Sequence, residues 1–150
     1  MDSNAPPSIT LTSAAGGYLA TMLRHGWMIL TFRHHGEGLD AISNRHLTVL
    51  AALGLMAMWY LPSITRGAEL PSLGMVAIGL ASFAIGRIQF GAATATGFAL
   101  LMLITEPAAA LMRLAAGEVG AQIDYGLRVW CLAANLLYVL RCSRRAKRGK

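Results

Sequence analysis

The sequence predicts an all-α membrane protein of four transmembrane helices preceded by an amphipathic interfacial helix. Three observations carry that expectation. Of 150 residues, 55% are hydrophobic and only 13% charged, and the mean hydropathy is +0.52. The apolar residues fall in blocks separated by short charged stretches, the pattern of repeated membrane crossings rather than of one soluble core. The block 91–113, GAATATGFALLMLITEPAAALMR, is long enough to cross a hydrocarbon layer of roughly 30 Å at about 1.5 Å of rise per residue. It nevertheless carries a carboxylate, Glu106, followed directly by Pro107.

The length allows one bundle and no separate soluble domain. Residues 1–17 are rich in Pro, Ser, Thr and Gly, with little to bury, and read as a disordered arm. Residues 18–35 turn helical in pattern: Leu19, Met22, Leu23, Gly26, Ile29 and Leu30 share one face, and Thr21, Arg24, His25, Thr31 and His35 the other. Spanning would place Arg24 near mid-bilayer at about 2.5–3.5 kcal/mol. The segment is therefore expected to lie flat on the cytoplasmic leaflet, with Arg24, Trp27 and Arg33 as membrane-surface residues. The first apolar run is broken by Arg24 and His25, unlike a secretory signal, so the chain is expected to insert through its own first span.

His34, His35, Glu37 and His46 are residue types that suit zinc, but their spacing does not. Adjacent histidines on a helix diverge by about 100°, the segment HHGEGLD is broken by glycine, and no His-x-x-x-His pair exists. Solvated interfacial histidines are expected, with no metal and no cofactor.

The spans are expected at residues 47–61, 73–90, 91–113 and 125–140. Trp59 and Tyr60 anchor the far end of the first, which Pro62 should terminate. In the second, Ala77/Ala81 and Ser82/Gly86 have the small-xxx-small spacing that lets backbones approach in lipid. In the third, Ala95, Ala99, Met102, Leu103, Ala109, Ala110 and Arg113 share a face with Glu106, so Ala95 and Ala99 are helix-packing candidates. Pro107 cannot donate to the carbonyl of Leu103, which favours a kink beside the carboxylate.

In the fourth, Arg128, Cys131, Asn135, Tyr138 and Cys142 follow one another at intervals of 3, 4, 3 and 4. That is a heptad seam of polar or polarisable residues, facing a neighbouring helix, with Cys131 and Tyr138 packing there. Glu106 is expected within bridging distance of Arg128 first, Arg113 second or Asn135 third, by depth and side-chain reach. Cys131 and Cys142 are separated by roughly 16 Å of helix, beyond disulfide reach, and read as free thiols.

Net charge is +6, but six of the thirteen basic residues lie in the last ten positions, a cytoplasmic tail (141–150) suited to anionic lipids. Nucleic acid is excluded, since no interleaved aromatics or folded reader accompany the tail. Arg24, Arg33, Arg45, Arg87 and the tail fall on one side; Arg66, Arg113 and Arg128 fall on the other beside Glu69, Glu118 and Asp124. The bias puts both termini in the cytoplasm of a bacterial inner membrane.

No phosphate-binding loop, HExxH or GxSxG is present, so catalysis has no support. Two functions are consistent with the pattern. One is a small polytopic inner-membrane subunit that packs into, or helps assemble, a larger bacterial complex as a homo- or hetero-oligomer in the bilayer. The other is a small oligomeric channel, holin-like or transporter protein using Glu106 and the polar face of the fourth span.

Overall fold

A computed structural model of the chain describes residues 11–148, and all their regular structure is helical: α1 (Leu11–Leu30), α2 (Asn44–Arg66), α3 (Leu73–Phe90) and α4 (Ala92–Arg148). The stretches Asn44–Thr65, Leu73–Phe90 and Ala92–Arg145 are long and apolar enough to cross a membrane. The last is not straight. Gly117 breaks it with φ 53 and ψ −121, a conformation open to glycine because it has no Cβ. The two limbs, residues 92–116 and 118–148, fold back on each other: the Tyr138 hydroxyl donates to the Ala93 carbonyl at 2.8 Å, and Arg128 reaches Glu106.

Each helix start and stop has a local cause. The Ser43 hydroxyl accepts from the His46 backbone N–H and Ser72 from that of Met75, satisfying donors that a first turn leaves free. Gly67, left-handed at φ 64, caps α2 by donating to the Ser63 carbonyl. Pro62 was expected to end α2 but lies inside it. It removes one backbone hydrogen bond, while the helix continues one more turn to its glycine cap.

Helix α2 and the first limb of α4 approach at a glycine: a Cβ on Gly54 would sit 3.2 Å from the Ala99 carbonyl and 3.3 Å from Met102 Cβ. Within the hairpin, Gly97 makes the same kind of room for the Tyr138 ring. Ala95, Ala99 and Tyr138 are buried, as are Ala109 and Ala110 on the same face. Small residues thus allow the backbones close together. Helix α3 is different, for none of its residues is buried. Its Arg87 guanidinium donates to the Asn44 side chain, and Phe83 meets Phe98 at a ring separation of 5.4 Å.

The amino-terminal region departs from expectation in three ways. Helix α1 starts at Leu11 and stops at Leu30, so residues 11–17, expected as a disordered arm, are helical, and residues 31–35 are not. Residues 1–10 of that arm lie outside the described residues. Nor does α1 lie across the end of the bundle. Gly26 packs on Ile104, twelve residues or about 18 Å into the first limb, and the Trp130 indole donates to the Leu30 carbonyl at 2.9 Å. The apolar face is split: Gly26 and Ile29 are buried inward while Leu19, Leu23 and Trp27 point out. Arg24 and Arg33 are exposed.

The segment 31–43 then folds onto the near end of the hairpin through Gly36 (φ 87) and Gly38 (φ 79), burying Leu39 completely. Its carbonyls at Phe32 and His35 accept from Arg141 and Arg145. The basic tail is therefore not a separate segment, since α4 stays helical to Arg148; Gly149 and Lys150 lie outside the described residues.

Candidate functional site

The far end of the hairpin gathers four charges into one network. On the second limb, Arg128 stands four residues, about one turn, after Asp124, and its Nε donates to Asp124 Oδ1 at 2.9 Å. The turn at Gly117 brings Arg113 of the first limb over the same carboxylate. Its Nε and Nη2 meet Asp124 Oδ2 at 2.7 and 2.6 Å. Arg128 then extends its fork to Glu106, with Nη1 to Oε1 at 3.3 Å and Nη2 to Oε2 at 3.1 Å. Two parallel bonds to one carboxylate fix orientation as well as distance.

Two carboxylates thus face two guanidiniums in the order Arg113, Asp124, Arg128, Glu106. The acids are the hidden members. Asp124 is 1% exposed and the Glu106 side chain 11%, against 25% for Arg113 and 41% for Arg128, whose long stems let the charged heads reach outward.

Of the partners expected for Glu106, the structure brings Arg128 to it; Arg113 is bound to Asp124 instead, and Asn135 lies deeper on the same seam. Asp124, grouped by sequence with the charges of the far-side loop, is the most buried charge in the network. Its offset of four from Arg128 was the one available signal, and Arg113 becomes its neighbour only through the hairpin register.

A cavity of about 220 Å³ opens beside the pair, lined by Thr105, Glu106, Arg128, Cys131 and Asn135 together with apolar side chains. The Thr105 hydroxyl donates to the Leu101 carbonyl at 2.7 Å. Both cysteines are free. Of the seam residues, Arg128, Cys131 and Asn135 face this cavity, whereas Tyr138 turns into the hairpin. Among the described residues the buried Asn135 Oδ1 has no hydrogen-bond partner. This arrangement can hold an uncharged polar group. Among the described residues no group of three metal-ligating side chains forms.

A second polar cluster sits at the near end. His34, expected to be solvated, is 3% exposed, because the glycine-rich turn folds it against the hairpin. Its ring meets Tyr138 edge-on. The Gly36 N–H donates to His34 Nδ1 at 2.8 Å, which leaves the proton of a neutral His34 on Nε2. That nitrogen lies 2.6 Å from His25 Nδ1, so His34 donates and His25 accepts. His35 and His46 are exposed.

Burial first, and then the neighbouring His25, push the His34 pKa down to about 4, with His35 adding to the fall and Glu37 opposing it. Burial and then Arg24 lower His25. Both values lie below the 6.5 of the free side chain, so an undocked chain takes up protons first. The docked segment should be intact above about pH 6.5 and lose stability as pH falls from there toward 4. Thermal unfolding in detergent should show that slope over the window, and His34→Gln should flatten it; an unchanged slope would remove the histidine pair as its source.

Known proteins offer no further guide: no family model, no curated protein and no solved structure matches this chain.

Proposed function

We propose that the chain is a small inner-membrane subunit of a larger bacterial assembly, crossing the bilayer four times with both termini in the cytoplasm. In this reading α2, α3 and the two limbs of α4 are the crossings, and α1 is a partly inserted helix at the cytoplasmic side. Arg45, Arg87, Arg141, Arg144 and Arg145 all belong to the near end of the bundle, where they suit the positive-inside bias.

The observation that carries the assembly role is the state of α3. It has no buried residue, yet its outward face bears Gly74, Ala77, Ala81 and Ala84, all exposed. A stripe of small residues is of little use against fluid lipid and of much use against another helix. The charges give the same impression from the other side. Glu106, Asp124, Arg113 and Arg128 neutralise one another within one chain, so they are available as an internal clamp rather than as an ion path.

Native electrophoresis of mildly solubilised membranes tests this. The chain should migrate well above its 16.0 kDa with the associated detergent, and Ala81→Trp should release it. Migration as a monomer from its own membrane would overturn the reading.

The channel or transporter reading keeps one observation in its favour, the cavity that Glu106 lines. It expects Glu106→Gln to leave the fold intact and abolish transport, and induced expression to depolarise the host. The packing reading expects neither.

A further inference from the structure

Behind α3 lies a second cavity, of about 430 Å³, walled by α2, α3 and both limbs of α4. Its lining is almost wholly apolar, with Leu55, Met58, Phe83, Met102 and Val139 among the residues that form it. Phe90 and Phe98, both exposed, lie at its rim. It shares Met58, Phe98, Met102 and Asn135 with the smaller cavity beside Glu106. Asn135 is therefore the polar group common to both.

An amide at this depth should find a partner, because an unpaired polar group inside hydrocarbon costs free energy. The buried Oδ1 of Asn135 has none among the described residues. The terminal torsion of asparagine is soft, so the amide can turn either edge toward the cavities. It can then accept from a ligand group or donate to it. A hydroxyl satisfies both orientations.

The space also limits the shape of an occupant. One turn of helix, about 10 Å across and 5.4 Å high, already sweeps about 420 Å³. The space therefore holds no more than one turn of a second helix, whereas a flexible alkyl chain fits within it. The Ser82 and Thr94 hydroxyls that also line it donate to the carbonyls of Ile78 and Phe90 in their own helices, and a mostly apolar lining with few polar groups is that of a small-molecule site.

We propose that the cavity behind α3 binds a neutral single-chain amphiphile, its alkyl chain among Leu55, Phe83 and Met102 and its hydroxyl on the Asn135 amide. The binding belongs to the folded chain itself and does not depend on the assembly role. Gly86 supplies a clean block, since it lines the cavity and a Cβ there meets nothing within 4 Å. Trp59 supplies a native reporter, since its ring packs on Gly79, another lining residue.

The test uses the full chain in lipid nanodiscs with Trp27→Phe and Trp130→Phe, leaving Trp59 as the fluorophore. The probes are a twelve-carbon primary alcohol brominated at its far end and the matching brominated hydrocarbon. Quenching by the alcohol should saturate, with the hydrocarbon about five- to tenfold weaker, the effect of one hydrogen bond. Asn135→Leu should bring the two probes to equality, and Gly86→Leu should abolish saturable quenching by both.

Unsaturable quenching of equal strength by alcohol and hydrocarbon in the unblocked protein would mean partition into lipid alone and would overturn the proposal. So would saturation that survives Gly86→Leu. The comparison of the two probes needs no cavity variant, so a misfolded variant cannot rescue the idea.

Discussion

Asp124→Ala should be the most damaging single substitution in the hairpin, costing about 3–5 kcal/mol of stability. The carboxylate is 1% exposed and binds two guanidiniums, so its loss leaves Arg113 without the acid that holds it and Arg128 with Glu106 alone. Breaking a buried network by removing one member costs more than the network itself contributes, because the remaining charges stay desolvated. Arg128 is partly exposed and can relax outward, which places the effect toward the lower end of the range. Asp124→Asn should cost less, since the amide oxygen still accepts from one arginine. Thermal melts in detergent and a cycle with Arg113→Gln should show strong coupling between the two positions; additive losses would mean that the bonds at 2.6 and 2.7 Å carry no shared energy.

Gly120→Ala should come next, with a loss of about 1–3 kcal/mol and a visible change in the hairpin turn. The limbs meet so closely there that a Cβ would overlap the carbonyl of Met112 and lie against Arg113 Cα. Backbone cannot swing aside as the end of a side chain can. The same addition at Gly126, where nothing lies within 4 Å, should leave the melting temperature nearly unchanged and serves as the control. Equal behaviour of the two variants would mean that the limbs do not pack at Gly120 as described.

Both outcomes depend on a feature that periodicity cannot reveal. Residues 91–113 and 125–140 were legible as two apolar helical stretches, and α3 occupies the range 73–90 expected for it. The small-residue face through Ala95 and Ala99 was also legible, because a repeat of three and four places residues on one side of a helix wherever it sits. The same arithmetic marked Arg128, Cys131 and Asn135 as one seam.

Sequence alone determined this protein's helical class, its apolar stretches long enough to cross a membrane, and the depth at which a carboxylate and an arginine stand along their helices. These are local properties, set by side-chain period, hydropathy and glycine or serine caps within a few residues. Only the tertiary structure decided which charges meet. The register of the hairpin gives Arg113 to Asp124 rather than to Glu106, and the fold of Gly36 and Gly38 takes His34 out of solvent. Helix α1 likewise leans on Ile104 instead of lying across the bundle end, because Gly26, with no side chain, lets the two come close. In each case the partner lies many residues away, and what selects it is close backbone approach in three dimensions.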